Sequence, residues 1–434
     1  MQNSNRLFTV IILALLFTLP LTVFSNGLNL NGVGSKAVAM GGAFVGLADD
    51  HSAIFFNPAG LSQLEGTSMN LYITDVIPKG TYEFSMYGVD AETESNHYVS
   101  GSASIFFDVG EKIKLGGFVD VPSGLGAEWD GADLAAFSGP AMTPFEWMSK
   151  IGVIHFGPAI AYQVNEKLSV GATVNIAYGM MDLKRPVDML DMSAGQPAPG
   201  SDGAVDTQYE EESTGMGFNL NLGVLYKVND MLQVGASVKT QNKIAFSGTA
   251  KNQTMALIGA AAESDFDRDI TWPLWVGGGI AVKPIEKLTI TADAQWSQWA
   301  KNQEVLETEY KDIMWAAALG AQGADKMHLK WDNALQLRFG AEYLVTKCLA
   351  LRLGYTHDPE PSPDETTNIL LPSLTYNTIT FGFGWKKNVL GIDLGFEYLI
   401  GTERDIAPSM EYENNPGLHN MKMMVPNISF TYDL

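Results

Sequence analysis

The chain has 434 residues, 46% of them hydrophobic and only 18% charged, which is too apolar a mixture for intrinsic disorder. Its formal charge is −22, from 49 acidic against 27 basic residues, and no basic stripe appears, so it is not a nucleic-acid binder, which would need clustered Lys and Arg. Cys348 is the only cysteine, which leaves no intrachain disulfide and no cysteine-rich metal site.

Residues 1–25 read as an export signal: Arg6 supplies the positive charge, Leu7 to Phe24 the apolar stretch, and Val23-Phe24-Ser25 ends on a small residue before Asn26. An uncleaved anchor is the alternative, since that run is just long enough to span a bilayer. No other stretch approaches the length of a membrane helix. Residues 26–66 show no alternation and are rich in small residues, including Gly32, Gly34, Gly41, Gly42 and Gly46. Ala37 to Leu47 could form one short helix broken at Gly41-Gly42, and Asn57-Pro58 marks a turn because proline fixes φ. This segment carries too little apolar surface to fold alone and needs a wall to pack on.

Beyond residue 66 the dominant signal is period two. Along 168–179, Val170, Val174, Ile176 and Tyr178 fall on one side, and Thr173 and Asn175 on the other. Phe218, Leu220, Leu222, Val224 and Tyr226 repeat the split, as do Leu390 to Ile400, while the polar faces carry Asp293, Arg338, Glu342, Asp393 and Glu397 in mid-strand. Runs of about 10 to 14 residues are longer than the strands of a soluble sandwich and match a tilted crossing of an outer membrane, apolar face to lipid and polar face to lumen. Tyr162, Tyr226, Tyr343 and Trp385 lie near short turns and Tyr178, Trp296, Tyr355 and Tyr398 near long loops, as two interfacial girdles require. Short turns near 108–112, 164–167, 227–230, 283–287, 345–348 and 386–389 alternate with long connections near 77–95, 122–150, 183–212, 249–270, 301–330, 358–375 and 403–420. The fold expected is an all-β transmembrane antiparallel barrel of about fourteen strands, residues 67–434, with residues 26–66 as a plug in its lumen. The last strand alternates to the end through Ile428, Phe430, Tyr432 and Leu434, although such chains usually end on Phe.

Ala48-Asp49-Asp50 followed by Asn57-Pro58-Ala59, soon after a signal peptide and before the strands, resembles the N-terminus of the FadL/TodX family of outer-membrane hydrocarbon transporters. Val121-Pro122-Ser123-Gly124 and Gly157-Pro158-Ala159-Ile160-Ala161-Tyr162 extend the resemblance toward the C-terminus. It implies a Gram-negative outer-membrane location, a hatch with its gate at Gly41, Gly42, Asp49, Asp50, Asn57, Pro58 and Ala59, hydrophobic pockets, and sideways exit through a kinked third strand. By count that strand is 113–121, and Gly116-Gly117 is where it could bend, although paired glycines also suit close packing of the hatch.

Lipopolysaccharide excludes apolar molecules, and a polar-lined water channel offers them no favourable binding. Loop residues Leu125, Trp129, Phe137, Phe145, Trp147 and Met148 are the candidates for capturing ligand by apolar burial, worth ~0.8 kcal/mol per CH₂, though they could equally pack on each other. A fatty-acid carboxylate would want a cation, and Lys150, Lys239, Arg338 and Arg352 are candidates, each able instead to pair with an acidic neighbour. An aromatic or alkane hydrocarbon would need none of them. The partners expected are hydrophobic small molecules such as fatty acids, outer-membrane lipid and lipopolysaccharide, with no cofactor or metal. The rivals are a general porin or structural barrel, which would not need a hatch, and an outer-membrane enzyme built around His155. His51 after Asp49-Asp50 reads as structural, and the acidic stretches at Asp202, Glu210-Glu211-Glu212 and Asp265 as solvated or cation-binding loops.

Overall fold

The computed structural model describes Gly27 and residues 30–188, 206–300 and 302–434; the expected leader at 1–25 and Asp202 lie outside them. Among the described residues the wall is a closed antiparallel ring of fourteen strands. In chain order they are β1 Ser68–Phe84, β2 Tyr98–Val109, β3 Ile113–Trp129, β4 Trp147–Gln163, β5 Leu168–Asp188, β6 Asp206–Asn229, β7 Leu232–Lys239 continued by Asn242–Lys251, β8 Glu263–Trp272 continued by Trp275–Ile285, β9 Leu288–Ser297, β10 Ala334–Thr346, β11 Leu349–Asp358, β12 Tyr376–Lys387, β13 Leu390–Gly401 and β14 Gly417–Asp433. Each pairs with its chain neighbour, and β1 closes the ring on β14 from Ser68↔Asp433 to Glu83↔Leu418.

The alternation has the expected polarity. On β5, Val170, Val174, Ile176 and Tyr178 are exposed to the outside while Thr173 and Asn175 are buried. The same holds for Leu353 and Phe381 outside and for Arg352, Thr356 and Thr380 inside. A soluble protein would hide its large apolar side chains; here they form the outer belt that lipid covers.

The turns at one end are short, as at 164–167 between β4 and β5. At the other end the strands outrun the membrane, so the long connections are shorter than the sequence pattern indicates. β5 and β6 have 21 and 24 residues, about twice what a crossing needs. The projecting ends stay paired because they build cores of their own: Val187, Tyr209, Ala250 and Phe266 pack under the loop helix Ile313–Gln322 through its Trp315 and Leu319. Periodicity identified the strands but could not show where lipid gives way to a loop core.

Residues 32–66 lie within the ring. Two short helices, α1 Ser35–Ala39 and α2 Ala53–Phe56, and the turn Pro58–Gln63 pack on wall strands all around the barrel. Ala37, Met40, Phe44, Phe56 and Leu61 are fully enclosed.

A charge at mid-height on the outer belt tests this arrangement. Leu353→Arg should lower barrel stability by about 2–4 kcal/mol in urea titrations in lipid, whereas Thr356→Ser on the same strand, facing inward, should change it by under about 1 kcal/mol.

Candidate functional site

The luminal segment is built for close approach. Gly41 and Gly42 adopt φ 65° and 63°, and a side chain on Gly41 would lie 2.6 Å from the Phe339 carbonyl oxygen and 2.8 Å from the Tyr355 amide nitrogen. The Gly41 amide donates to Thr380 Oγ1 at 3.0 Å, and its carbonyl accepts from Thr356 Oγ1 at 2.6 Å. Asn57 ties the segment together: its Nδ2 donates to the Val45 and Val224 carbonyls, each at 2.9 Å, and its Oδ1 accepts from the Ala59 amide at 3.2 Å. Pro58 opens the turn that follows, where a missing N–H costs nothing. Asp49 pairs with Lys36 at 2.8 Å, and Asp50 accepts from the Ser52 amide at 2.8 Å.

His51 bonds to Ser104 on β2 and Ser68 on β1, both at 2.7 Å, and Ser68 donates to Asp433 on β14 at 2.6 Å. It thus pins the segment to the seam that closes the ring, in the structural role its neighbours suggested.

Above α2 lies a cavity of about 720 Å³, its mouth included. Ile54 and Phe55 form its floor, and Phe118, Asp120, Pro122 and Ser123 of β3, His155, Lys239, Trp272, Trp275 and Arg338 its walls. His155 is on the lumen side as expected, and its contact is the Asn242 side-chain amide at 3.4 Å rather than a serine. A second, more apolar cavity of about 560 Å³ lies toward the long loops, lined by Val76, Tyr98, Leu370, Leu371, Met421 and Met423 among others.

The candidate cations separate cleanly. Arg352 sits between Glu342 at 2.7 Å and Asp393 at 2.5 Å, and Lys150 is held by Glu128 at 3.2 Å. Arg338 donates to Gln336 Oε1 at 2.8 Å and to the Asn31 carbonyl. Lys239 makes no ion pair among the described residues. Its ammonium lies 3.2 Å from the Phe55 ring centre and 4.5 Å from that of Trp275, on the cavity wall, with Asp120 on the same wall.

The loop aromatics do not line this cavity. Trp129 donates from Nε1 to the Ile369 carbonyl at 2.9 Å, and Phe137 stacks on Tyr82 at 6.2 Å between ring centres and lies 6.1 Å from Trp147. They form a loop core, because neighbouring aromatics bury more area on each other than on an open mouth. Met148 is buried and Phe145 half-buried; the Leu125 side chain lies outside the described residues.

The break in the wall is also displaced from its expected place. Gly116 and Gly117 pair on both sides, with Phe106 and Ile105 on β2 and with Ala159 and Pro158 on β4. Pairing with β2 stops at Ser102↔Asp120, and the β4 register shifts between Asp120 and Ser123. Pro122, which has no amide hydrogen to give, sits in that shift. Gly116 serves packing instead, since a side chain there would meet Phe106 and the Ile105 carbonyl. The aromatic floor and walls at Phe55, Trp272 and Trp275 escaped the sequence reading, and Pro122 was the one residue whose chemistry pointed to the break.

A closed fourteen-stranded barrel with a lipid belt outside and a chain segment filling its lumen defines an outer-membrane transport barrel rather than an open pore. The profile of the family described as outer membrane protein transport protein (OMPP1/FadL/TodX) matches residues 20–432, and the chain belongs to this family of outer-membrane transporters of hydrophobic compounds. It is 24% identical over 411 residues to outer membrane protein P1 of Haemophilus influenzae, covering 84% of each chain. It is 21% identical over 448 residues to the long-chain fatty acid transport protein of Escherichia coli, covering 95% of this chain and 97% of that one. The fold matches a Pseudomonas aeruginosa FadL homologue with a TM-score of 0.77 at 16% identity, over 94% of this chain and 99% of the other. For the Pseudomonas putida toluene transporter TodX the TM-score is 0.71 at 17% identity, over 93% and 99%.

Burial between the two serines pushes the His51 imidazole down to about 4 from its ordinary 6.5. A released segment would therefore take up a proton below about pH 6.5 that the docked segment refuses; the stabilisation is whole above that pH and is lost as pH falls through 4. Amide exchange at residues 51–56, corrected for intrinsic rates, should quicken roughly a hundredfold between pH 7 and pH 4, and His51→Gln should flatten the dependence.

Proposed function

We propose that the chain is a passive channel for long-chain fatty acids: capture in the two cavities, displacement of residues 26–66 as a movable hatch, and sideways exit beside Pro122. Residues 1–25 act as the export signal removed before assembly. The observation that carries the substrate class is Lys239. It is the one candidate cation on the cavity wall without a hydrogen bond or close ion pair among the described residues, and two aromatic rings hold it there. An amphipathic molecule suits that site, with its carboxylate on Lys239 and its chain along Phe118, Trp272 and Trp275. The likeness to the Escherichia coli long-chain fatty acid transport protein supports the same choice. Hydrocarbon uptake is the second reading, favoured by the aromatic share of the cavity lining.

The test is uptake of labelled oleate and of toluene by cells lacking their own transporter and expressing either this protein or Lys239→Met. Oleate uptake should saturate, and the substitution should weaken its half-saturation about tenfold or more, the worth of a charge-assisted bond, while toluene uptake is unaltered. Saturable toluene uptake with oleate affinity indifferent to Lys239 would select the hydrocarbon reading. Passage of small sugars without uptake of either would select a porin.

A further inference from the structure

The interruption beside Pro122 has a complete frame. Below it, the β2–β3 ladder ends at Ser102↔Asp120. Above it, the Glu94 amide donates to the Glu128 carbonyl at 2.8 Å, Asn96 Nδ2 donates to Glu128 Oε2 at 2.9 Å, and Thr93 bridges to Trp129. Between these closures, residues 98–101 pair only with β1 and residues 123–127 only with β4. On the outer face Val99 and Val119 are exposed and apolar, while the pairs His97–Asp75 at 2.6 Å and Lys150–Glu128 at 3.2 Å flank the gap, so the opening lies at the outer edge of the membrane belt, where apolar wall gives way to charge.

One side chain spans the frame. A side chain on Gly126 would lie 2.7 Å from Cε1, Cζ and the hydroxyl oxygen of Tyr98, so the Tyr98 ring rests on the bare Gly126 backbone across the gap between the strands. On its inner side the same ring lines the apolar cavity with Val76, Met421 and Met423. We infer that Tyr98 is the shutter of this window: seated on Gly126 it separates the apolar cavity from the membrane, and swung aside it joins them, so that its ring sets the width of solute able to leave sideways. This rests on the sideways exit proposed above. It adds a specificity-determining residue to it, with Gly126 as the sill that any larger residue would remove.

Gly124 provides a reporter. It lines the same cavity, and the atom nearest to an added side chain is Val121 Cγ1 at 3.9 Å, so a cysteine fits there. In full-length protein carrying Gly124→Cys and Cys348→Ser, reconstituted in phosphatidylcholine vesicles, a maleimide dissolved in the bilayer should label residue 124 slowly. Adding Tyr98→Ala should speed this at least tenfold without changing the rate with a charged, water-borne maleimide. Equal rates with and without Tyr98, or an equal rise for both reagents, would overturn the shutter. In cells, Tyr98→Ala should raise uptake of a pyrene-ended dodecanoate at least fivefold relative to oleate, and an unchanged ratio counts against it. Absence of all uptake by the unaltered protein would defeat the transport reading and not the shutter, which the labelling decides by itself.

Discussion

A peptide group in hydrocarbon has no water to bond to, so a wall in lipid must pair every one of them or shield it from within. The rest of the architecture depends on that requirement. It is met by closing β14 on β1 and holding the register around the ring. A ring of fourteen strands, however, encloses more space than its own side chains fill, which in a wide barrel means water. Here the space is filled by chain, and that chain is irregular, with its own peptide groups to satisfy. Wall side chains supply them: Asn221 Nδ2 donates to the Ile54 carbonyl at 2.9 Å, Asp293 accepts from the Val45 amide at 2.6 Å, and Gln233 Nε2 donates to the Gly46 carbonyl at 3.0 Å. Asn221, Gln233, Asp293, Thr356 and Thr380 of the polar strand faces are therefore hydrogen-bond partners of the enclosed segment, whereas Asn175, Asn219, Asn242 and Gln295 line the cavity above it.

The same requirement makes the break in β3 informative. A wall that loses its ladder exposes unpaired groups, and the Pro122 carbonyl at the break is met from inside. The Leu30 amide donates to the Pro122 carbonyl at 3.0 Å, and Trp272 Nε1 donates to Ser123 Oγ at 2.9 Å. The enclosed chain and the broken strand are thus linked, since displacing Leu30 leaves the Pro122 carbonyl without that donor. That is a physical route by which movement of residues near 30 could be felt in the wall.

The architecture was legible in the sequence because period two is imposed by the pleat and the two faces meet different solvents. Short turns fell where strands change direction, and Val170, Ile176 and Tyr178 needed no tertiary knowledge to be placed outside. The site was less legible, because it depends on register. Arg352 and Lys239 both read as lumen-side cations, yet only pairing places Arg352 opposite Glu342 and sets Lys239 against Phe55. Two glycines looked like the place for a bend, and a proline five residues beyond the second was the stronger signal, because glycine only permits a break while proline removes a donor. The loop aromatics illustrate a different limit: composition cannot tell whether Trp129 and Phe137 face a ligand or each other.

Capture and release make opposing demands on the cavity. At ~0.8 kcal/mol for each buried CH₂, a long acyl chain enclosed on all sides would be held too firmly to leave readily, if transport is passive as proposed. Division of the apolar lining would answer this, since the cavity of about 720 Å³ meets β3 at Phe118 to Ser123 and that of about 560 Å³ meets it at Gly124 and Gly126, so that each offers part of the burial. An ammonium resting on aromatic faces has a similar character. On the fatty-acid reading it would attract a carboxylate without the bidentate grip of a guanidinium, and the Phe55 and Trp275 rings would receive it again once the carboxylate left. The cation is thus left partly satisfied at rest, whereas Arg352 is fully paired and stays with the wall.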